Sequence, residues 1–324
     1  MERIIIDTDP GVDDAMAILM ACKATDKLKL EALTVVDGNV SLDKVSKNAL
    51  GILELCHMEH VPVYQGASHP LKSKQNYSDD FHGSNGMGDV EIKAKTMELQ
   101  KESAVDYLVR MAKENKGEIT IVPIGPLTNI ALAIQKDKDF ANNVKRLVIM
   151  GGAESGGNVT PVAEFNFFHD PEAAKIVFEA GFHEIVMVGL DATRKVYMTP
   201  PLREMCYLIG TPESRFIYDI TRVYTNRNWE LNRMMGCQMC DPLAIGYLLD
   251  ESMLTLKDAY VTIETEGVCT GSSIVYRKER YHDKEVNCKV AVDADAKKFF
   301  EVFFLEQFEG YDKEIKEMLE REYR

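Results

Sequence analysis

Short apolar runs that alternate with helical patterns constrain the fold of this 324-residue chain more than any other feature. The runs are nearly continuous in Val, Ile and Leu, which is typical of strands buried on both faces of a sheet. We predict strands at residues 3–7, 31–36, 61–64, 118–124, 145–150 and 184–189. Between them we predict helices at residues 13–23, 41–58, 103–114, 127–135 and 171–179. Such alternation predicts an open α/β fold with a mostly parallel central sheet and helices on both faces.

The C-terminal third departs from this alternation. Residues 199–247 are predicted to be a mainly helical insertion, and residues 259–264 and 286–292 to form a late hairpin. The last thirty residues are predicted to be one amphipathic helix. Because no repeat or Pro/Gly/Ser-rich linker divides the chain, we expect a single domain over residues 1–324.

Charge and cysteine content limit the partners and the compartment. The chain has 52 acidic and 38 basic residues, a formal net charge of −14, which disfavours nucleic acid or a membrane as a partner. We find no signal-peptide pattern and no apolar run long enough to span a membrane. Seven scattered cysteines with a single CxxC, at Cys237 and Cys240, indicate neither a disulfide framework nor a zinc site. We therefore expect a reduced, cytoplasmic protein.

The loop after the first predicted strand carries an unusual density of acidic residues. Asp7, Asp9, Asp13 and Asp14 fall within eight residues, around a turn made by residues 10–11. Helix capping and the helix dipole explain one or two aspartates. They do not explain Asp7 and Asp9 at the end of a buried strand, where charge repulsion and desolvation both cost free energy. A bound hard cation, Ca²⁺ or Mg²⁺, would offset both costs.

A phosphatase offers another explanation for the same aspartates. An Asp-x-Asp at the end of a first strand also resembles the haloacid-dehalogenase-like phosphatases, in which Asp7 would be the nucleophile and Mg²⁺ the metal. The turn at residues 10–11 and the immediate second Asp pair depart from the pattern of that family.

Two later segments repeat the arrangement of a strand followed by an unusual turn. Gly125, within residues 121–131, allows the backbone to approach a ligand closely. Asn158, Glu164 and Asn166 offer hydrogen-bond donors and acceptors within nine residues. Such a set is what a polyhydroxyl ligand needs.

Taken together, these segments resemble the inosine–uridine-type nucleoside hydrolases. The matching segments are residues 7–15, Gly38 and Asn39, His82 and Gly83, residues 125–129, residues 164–166 and residues 241–244. They occur in the order of that family between residue 4 and about residue 249.

The resemblance implies hydrolysis of the N-glycosidic bond of a purine or pyrimidine ribonucleoside to ribose and free base, with one tightly bound Ca²⁺. Asp9, Asp14, Asp241 and the main-chain carbonyl of Ile124 would hold the ion. Asp9 would also act as general base on the metal-held water. The resemblance further implies a homodimer or a homotetramer.

The resemblance also assigns contacts with the nucleoside. The ribose hydroxyls would be held by Asp13, Asn39, Asn158, Glu164 and Asn166. His82 would lie near the base or the ribose 5′ end, and Asn228 and Trp229 lie on a stretch that closes over the base in the family. Trp229 is the only tryptophan, so a clamp of paired indoles is impossible, which favours broad or pyrimidine-tolerant specificity.

Cys240 stands where many family members carry the His assigned to protonation of the leaving base. A thiol is mostly neutral at pH 7 and is a weak acid catalyst compared with imidazolium. Two interpretations stay open, a small buried filler at the pocket wall or a residue with a minor acid role. The substitution also leaves room for a non-catalytic binder of nucleosides or ribose.

Overall fold

The structure of the protein is a computed structural model, which describes residues 1–74 and 77–323. The strands are β1 (Glu2–Thr8), β2 (Leu28–Val35), β3 (Val63–Gln65), β4 (Ile119–Pro123), β5 (Arg146–Met150), β6 (Ile185–Val188), β7 (Tyr197–Met198), β8 (Cys237–Gln238), β9 (Leu254–Ile263), β10 (Ser273–Arg277) and β11 (Cys288–Ala294).

Helices connect most of these strands. They are α1 (Val12–Lys23), α2 (Leu42–Leu55), α3 (Asp79–His82), α4 (Ala104–Glu114), α5 (Thr128–Lys136), α6 (Phe140–Asn143), α7 (Phe165–His169), α8 (Pro171–Glu179), α9 (Leu190–Thr193), α10 (Pro200–Ile209), α11 (Pro212–Asn232), α12 (Cys240–Leu249), α13 (Ala296–Gln307) and α14 (Asp312–Glu322). Within the described ranges, no helix is both long and apolar enough to cross a lipid bilayer.

Nine of the described strands form one sheet in the order β10-β9-β11-β6-β5-β4-β1-β2-β3. Every neighbouring pair from β11 to β3 is parallel, and β9 runs antiparallel to both β10 and β11. The chain leaves β1 toward β2 and β3, and then returns to the other side of β1 with β4. In open α/β sheets ligands bind outside the carboxyl ends of the strands at such a reversal. The fold therefore places the loops after β1 and β4 at the expected binding crevice.

The sheet is buried on both faces, as the continuous apolar runs predict. Along β1, Ile4 and Ile6 pack into one core and Ile5 into a second core on the opposite face. This alternation follows from the two-residue period of a strand. Helices α1, α2, α12 and α13 supply the first core, and α4, α5 and α8 supply the second.

The mostly parallel sheet flanked by helices is confirmed, and the six predicted strands and five predicted helices are present within a few residues of their predicted ends. The predicted helical region is occupied by α10, α11 and the start of α12, with β7 and β8 forming a small two-stranded sheet. The predicted hairpin of residues 259–264 and 286–292 is formed only in part. Strand β9 pairs with β11 through residues 254–259, and Ala259 lies opposite Cys288. The unpredicted β10 pairs with the rest of β9.

The prediction of one long C-terminal helix is wrong. Helices α13 and α14 are separated at residues 308–311, where Gly310 has a φ of +87°, a backbone conformation that favours glycine. Helix α13 also differs in character from a solvated amphipathic helix. The side chains of Phe299, Phe300, Phe303 and Phe304 are fully buried and extend the first core.

Candidate active site

A cavity of about 660 Å³ lies beyond the carboxyl ends of β1, β4 and β5. Most of the predicted site residues line it: Asp13, Asn39, His82, Ile124, Asn158, Glu164, Asn166, Asn228, Cys240 and Asp241. Asp9 and Asp14 are buried directly behind Asn39, to which both are hydrogen-bonded. The fold therefore brings together, at one edge of the sheet, residues separated by more than 200 positions in sequence.

Asp14 holds the start of α1 in place. Its Oδ2 accepts the backbone N–H of Gly11 at 2.9 Å, and its Oδ1 accepts the hydroxyl of Thr8 at 2.6 Å. Asn39 Nδ2 donates to the same Asp14 Oδ2 at 3.0 Å. A carboxylate in the first turn of a helix is stabilised by hydrogen bonds from nearby donors such as these and by the helix dipole. Capping thus accounts for Asp14 and fixes the direction of its carboxylate.

Asp9 is buried, and only one of its two carboxylate oxygens has a hydrogen-bond partner among the described residues. Its Oδ2 accepts the backbone N–H of Asn39 at 2.7 Å, whereas its Oδ1 has no hydrogen-bond partner among the residues that the structure describes. Two glycines make room for this carboxylate. A Cβ on Gly38 would lie 2.0 Å from Asp9 Oδ2, and one on Gly125 would lie 2.5 Å from Asp9 Oδ1. An unpartnered buried carboxylate oxygen is costly, and it points to a ligand that completes the site.

Three further carboxylates gather beside Asp9. Oxygens of Asp13, Asp14 and Asp241 lie within 4.8 Å of one another, and all three residues are buried. Burial, followed by repulsion from the neighbouring carboxylates, raises the pKa of Asp9 and Asp241 well above the usual range. Burial and Asp14 raise the pKa of Asp13 to about 7. Repulsion of this kind is relieved by a divalent cation, and an all-oxygen donor set suits Ca²⁺ or Mg²⁺.

The structure adds Asp13 to the carboxylates expected near the ion, although the sequence placed it at the ribose. Asp13 and Asp241 both line the cavity, so these two members of the acidic cluster are within reach of a ligand. The carbonyl of Ile124, the fourth expected ligand, accepts a hydrogen bond from Asn166 Nδ2 at 3.0 Å. A carbonyl oxygen has two lone pairs, so this bond leaves one of them available.

Glu164 and Asn166 also line the cavity. Glu164 caps α7, where its Oε1 accepts the backbone N–H of Asn166 at 3.0 Å and its Oε2 accepts that of Gly152 at 2.9 Å. Burial nevertheless raises the pKa of Glu164 to about 7, against the opposing effect of these backbone N–H groups. Asn166 Nδ2 donates to the carbonyls of Ile124 and Met150, at 3.0 and 3.1 Å. Its amide is therefore fixed by the ends of two strands, β4 and β5.

Asn158 lies on a compact loop that covers one side of the cavity. The loop closes on itself through Asn158 N–H, which donates to the carbonyl of Ala163 at 3.1 Å. Arg194 holds the loop in place, because its guanidinium donates to the carbonyls of Ser155 and Gly157, both at 2.7 Å. Arg194 thus fixes the backbone that carries Asn158.

His82 is a neutral imidazole at neutral pH. Its Nδ1 accepts the backbone N–H of Val12 at 3.0 Å, so this nitrogen carries no proton. Burial lowers the pKa of His82 to about 4. The ring meets Tyr224 edge-on, with ring centroids 5.9 Å apart. His82 therefore fastens the start of α1 while it lines the cavity.

Cys240 is a buried part of the wall that also includes Tyr224 and Asn228. Burial, and then the nearby carboxylates of Asp13 and Asp241, raise the pKa of the Cys240 thiol well above its usual range. Such a thiol is a weaker acid than an exposed cysteine. This environment favours a neutral filler over an acid catalyst.

Trp229 is the predicted contact that the structure does not bring to the site. Its side chain is 49% exposed, it is absent from the described lining of the cavity, and Arg233 packs over its ring. Neighbouring Asn228 points inward instead, with its Nδ2 donating to the carbonyl of Gly236 at 3.0 Å. The two residues lie on different faces of α11, so only Asn228 meets the cavity.

Several residues in the lining were not singled out from the sequence as site residues. Arg194, Tyr197 and Gln238 all line the cavity. Gln238 stands three residues before Asp241, and that proximity was the one available signal. Arg194 and Tyr197 follow β6, whose loop carries no acidic or asparagine-rich pattern that would mark it.

Asp7 is placed differently from what a phosphatase nucleophile requires. It is completely buried, and its Oδ1 accepts hydrogen bonds from Thr34 at 2.5 Å and from Asn129 at 2.8 Å. Asp7 is not part of the described cavity lining. The carboxylates of Asp13 and Asp14 act on the pKa of Asp9 and not on that of Asp7, so the geometry favours a supporting role for Asp7 at the end of β1.

The sequence of this chain matches one protein family over most of its length. The family is described as inosine-uridine preferring nucleoside hydrolase, and the match spans residues 4–301. The chain belongs to this family. The acidic cluster and the asparagines that line the cavity with it are thus the candidate active site of a nucleoside hydrolase.

Curated relatives and solved structures agree with this membership. Uridine nucleosidase 1 of Arabidopsis thaliana is 40% identical over 277 residues, which cover 85% of this chain and 82% of that protein. The pyrimidine-specific ribonucleoside hydrolase RihB of Shigella flexneri is 34% identical over 299 residues, covering 92% and 94% of the two chains. A solved plant nucleoside hydrolase superposes with a TM-score of 0.90 at 33% identity, covering 95% of this chain and 99% of that one.

Membership of the nucleoside hydrolase family accounts for both the fold and the position of the candidate site. Both the sheet and the cavity at its carboxyl edge belong to a chain that superposes on a solved nucleoside hydrolase over nearly its whole length. The chain is an enzyme, and its substrates are small ribonucleosides.

Proposed function

We propose that the chain is a Ca²⁺-dependent hydrolase that cleaves the N-glycosidic bond of ribonucleosides, uridine among them, to ribose and free base. The single observation that carries the proposal is the unpartnered Oδ1 of Asp9, buried beside the three clustered aspartates. Uridine is chosen because two of the relatives are named for uridine or pyrimidine substrates. The lone, exposed Trp229 also supplies no aromatic clamp for a purine.

The residues present fit a hard divalent cation. Asp9, Asp14, Asp241 and the carbonyl of Ile124 would hold it, with Asp13 next to them, and all of these donors are oxygens. When bound, such an ion offsets the carboxylate charge and lowers the pKa of a coordinated water. The raised pKa values of the buried aspartates indicate that their ionised forms need this compensation.

The protein's own residues then carry the remaining chemistry. Asp9 Oδ1 takes a proton from the attacking water, since it is a buried carboxylate oxygen without a hydrogen-bond partner among the described residues and lies beside Asp13 and Asp14. Positive charge develops on the ribose ring as the glycosidic bond breaks, and the carboxylates of Asp13 and Glu164 stabilise it. Asn39, Asn158 and Asn166 bind the ribose hydroxyls, which should make 2′-deoxynucleosides poor substrates because a missing hydroxyl leaves a buried polar group unpaired.

The decisive experiment combines metal content with base release. We expect the purified protein to contain one Ca²⁺ per chain and to release uracil from uridine. Asp9→Asn should lose about a thousandfold or more in kcat and retain its fold, whereas the exposed Asp26→Asn should behave as wild type.

Other outcomes would contradict the proposal in distinguishable ways. Release of phosphate from p-nitrophenyl phosphate, with no release of uracil, would indicate the phosphatase. Nucleoside binding without cleavage of uridine or inosine would indicate a binder. Full activity in metal-free protein would remove the role of Ca²⁺. We also propose a homodimer or homotetramer, which analytical ultracentrifugation would test.

A further inference from the structure

Departure of the base puts negative charge on the leaving ring, and the cavity wall must stabilise that charge. The usual candidates are weak donors or partly engaged in this protein. Cys240 offers only a weak S–H donor, and His82, whose Nδ1 accepts a backbone N–H, is a neutral ring with a single N–H at Nε2. Arg194 is the only Lys or Arg in the described lining, and its guanidinium is bonded to the loop that carries Asn158.

Gln238 is an uncharged donor in the same wall. It lies on β8, which pairs antiparallel with β7 so that Gln238 stands opposite Tyr197. Its Nε2 donates to the hydroxyl oxygen of Thr193 at 2.8 Å, and its Oε1 accepts the hydroxyl of Tyr197 at 3.4 Å. These two bonds fix the plane of the carboxamide. Because a carboxamide nitrogen carries two hydrogens, one remains for a ligand in the cavity.

The part of a bound nucleoside that Gln238 contacts depends on where Gln238 lies relative to the residues that would bind the ribose. Asp13, Asn39 and Glu164 would surround the sugar, and Gln238 lines the same cavity two residues before Cys240 in the wall. We place the base of a ligand whose sugar is bound at the acidic cluster against the part of the wall that Gln238 lines together with Cys240 and Tyr224. Uracil presents carbonyl oxygens there, and these oxygens gain electron density as the bond breaks.

We propose that Gln238 is a catalytic residue that donates its free Nε2 hydrogen to a carbonyl oxygen of the departing pyrimidine. The inference rests on the proposed ribonucleoside hydrolysis. In that step water oxygen bonds to the anomeric carbon and its proton passes to Asp9. The electron pair of the broken C–N bond stays on the base, where it spreads onto the carbonyl oxygens. The free base takes a proton from solvent after release.

The test compares leaving groups of increasing stability. We expect Gln238→Met, which keeps the length of the side chain and removes the donor, to lower kcat for uridine about a hundredfold. The loss should be smaller for 5-fluorouridine, and smallest, within roughly threefold of wild type, for p-nitrophenyl β-D-ribofuranoside, whose anion leaves without help. Gln238→Glu should show the same gradient, because an ionised carboxylate is only an acceptor. The exposed Gln135→Met is the matched control and should behave as wild type.

The gradient separates this inference from the proposed function. Equal losses on all three substrates would overturn the inference and show that Gln238 is structural, while the hydrolase activity would stand. A graded loss in Tyr224→Phe, with none in Gln238→Met, would also overturn it and assign the donor to the tyrosine. Failure of the wild-type protein to cleave any of the three substrates would instead remove the proposed function.

Discussion

Gly38 lies so close to Asp9 that a side chain at position 38 would collide with the Asp9 carboxylate. A Cβ at position 38 would stand 2.0 Å from Asp9 Oδ2, nearer than any real contact between such atoms. We therefore expect Gly38→Ala to displace the Asp9 carboxylate and to lower both Ca²⁺ affinity and uridine turnover by about a hundredfold. Isothermal titration with Ca²⁺ and an assay of uracil release would measure the two effects.

A second glycine provides the control for this prediction. Gly117 has a φ of +69°, and a Cβ at this position would meet no described atom within 4 Å apart from those of its own residue and its two chain neighbours. Gly117→Ala should therefore cost about 1 kcal/mol of stability from backbone strain alone, with Ca²⁺ affinity unchanged. If both variants lost affinity equally, the effect would come from general destabilisation and not from the position of Asp9.

Glu164 is the residue from which we predict a pH dependence of the proposed reaction. Burial raises its pKa to about 7, so in the free protein the carboxyl is mostly protonated below that pH and cannot stabilise a cationic sugar. We expect kcat/KM for uridine to rise with pH and to level off above about 7. Glu164→Gln should lose about a hundredfold and lack the rise, and a profile that kept its shape in this variant would assign the rise to another group.

Residues whose chemistry is concentrated in a short motif were predictable from the sequence. Asp7, Asp9, Asp13 and Asp14 fall within the eight residues that span the end of β1 and the start of α1, and capping of α1 alone does not explain so many carboxylates. Asp13 was expected only at the sugar, because its distance from Asp241 depends on how α1 and α12 pack together. Gln238 has no marked local pattern, because the hydrogen bonds that fix its carboxamide come from Thr193 and Tyr197, which are distant in sequence.

At the scale of elements, the loop at residues 155–163 shows how one side chain fixes a binding segment. Arg194 donates to the carbonyls of Ser155 and Gly157, and Asn158 follows directly. Arg194→Gln should raise KM for uridine roughly tenfold, equal to about 1.4 kcal/mol, because the loop must then be ordered on binding. Its melting temperature should change little, since the side chain is exposed.

The matched control for the loop is Arg280→Gln. Arg280 is also exposed and lies over the ring of Tyr281, away from the described cavity lining. Steady-state kinetics with uridine would compare the two variants. An equal rise in KM in Arg280→Gln would show that distant surface charge affects binding, and it would contradict the assignment to the loop.

Elements with a strong period were predicted well, and elements set by tertiary contacts were not. Strands such as β1 and β5 are buried on both faces, so their apolar runs are unbroken and easy to recognise. Strand β10 is short and only partly buried, and it exists because β9 offers an edge to pair with. The break between α13 and α14 depends on Gly310, whose cost within a helix is too small to interrupt the apolar period of the sequence.

At the scale of the whole molecule, the reversal of strand order explains why the acidic residues concentrate where they do. Strand β1 lies between β4 and β2, so its carboxyl end meets those of both strands at the crevice. The net charge of −14 is therefore less informative about function than the positions of the few carboxylates that lie at this crevice. A bound Ca²⁺ would offset two units at the crevice, and the remaining excess is carried by residues elsewhere.

This concentration of charge links metal binding to global stability. Buried carboxylates that repel one another destabilise the folded protein until a cation is bound, so chelation should lower the melting temperature. Free Ca²⁺ at about a hundredfold excess over its Kd contributes about 2.7 kcal/mol, or roughly 4 °C for a chain of this length. Differential scanning calorimetry with EGTA and with added Ca²⁺ should show this shift in wild type and in Asp26→Asn. Asp241→Asn should lose most of it, and an equal shift in that variant would place the ion elsewhere.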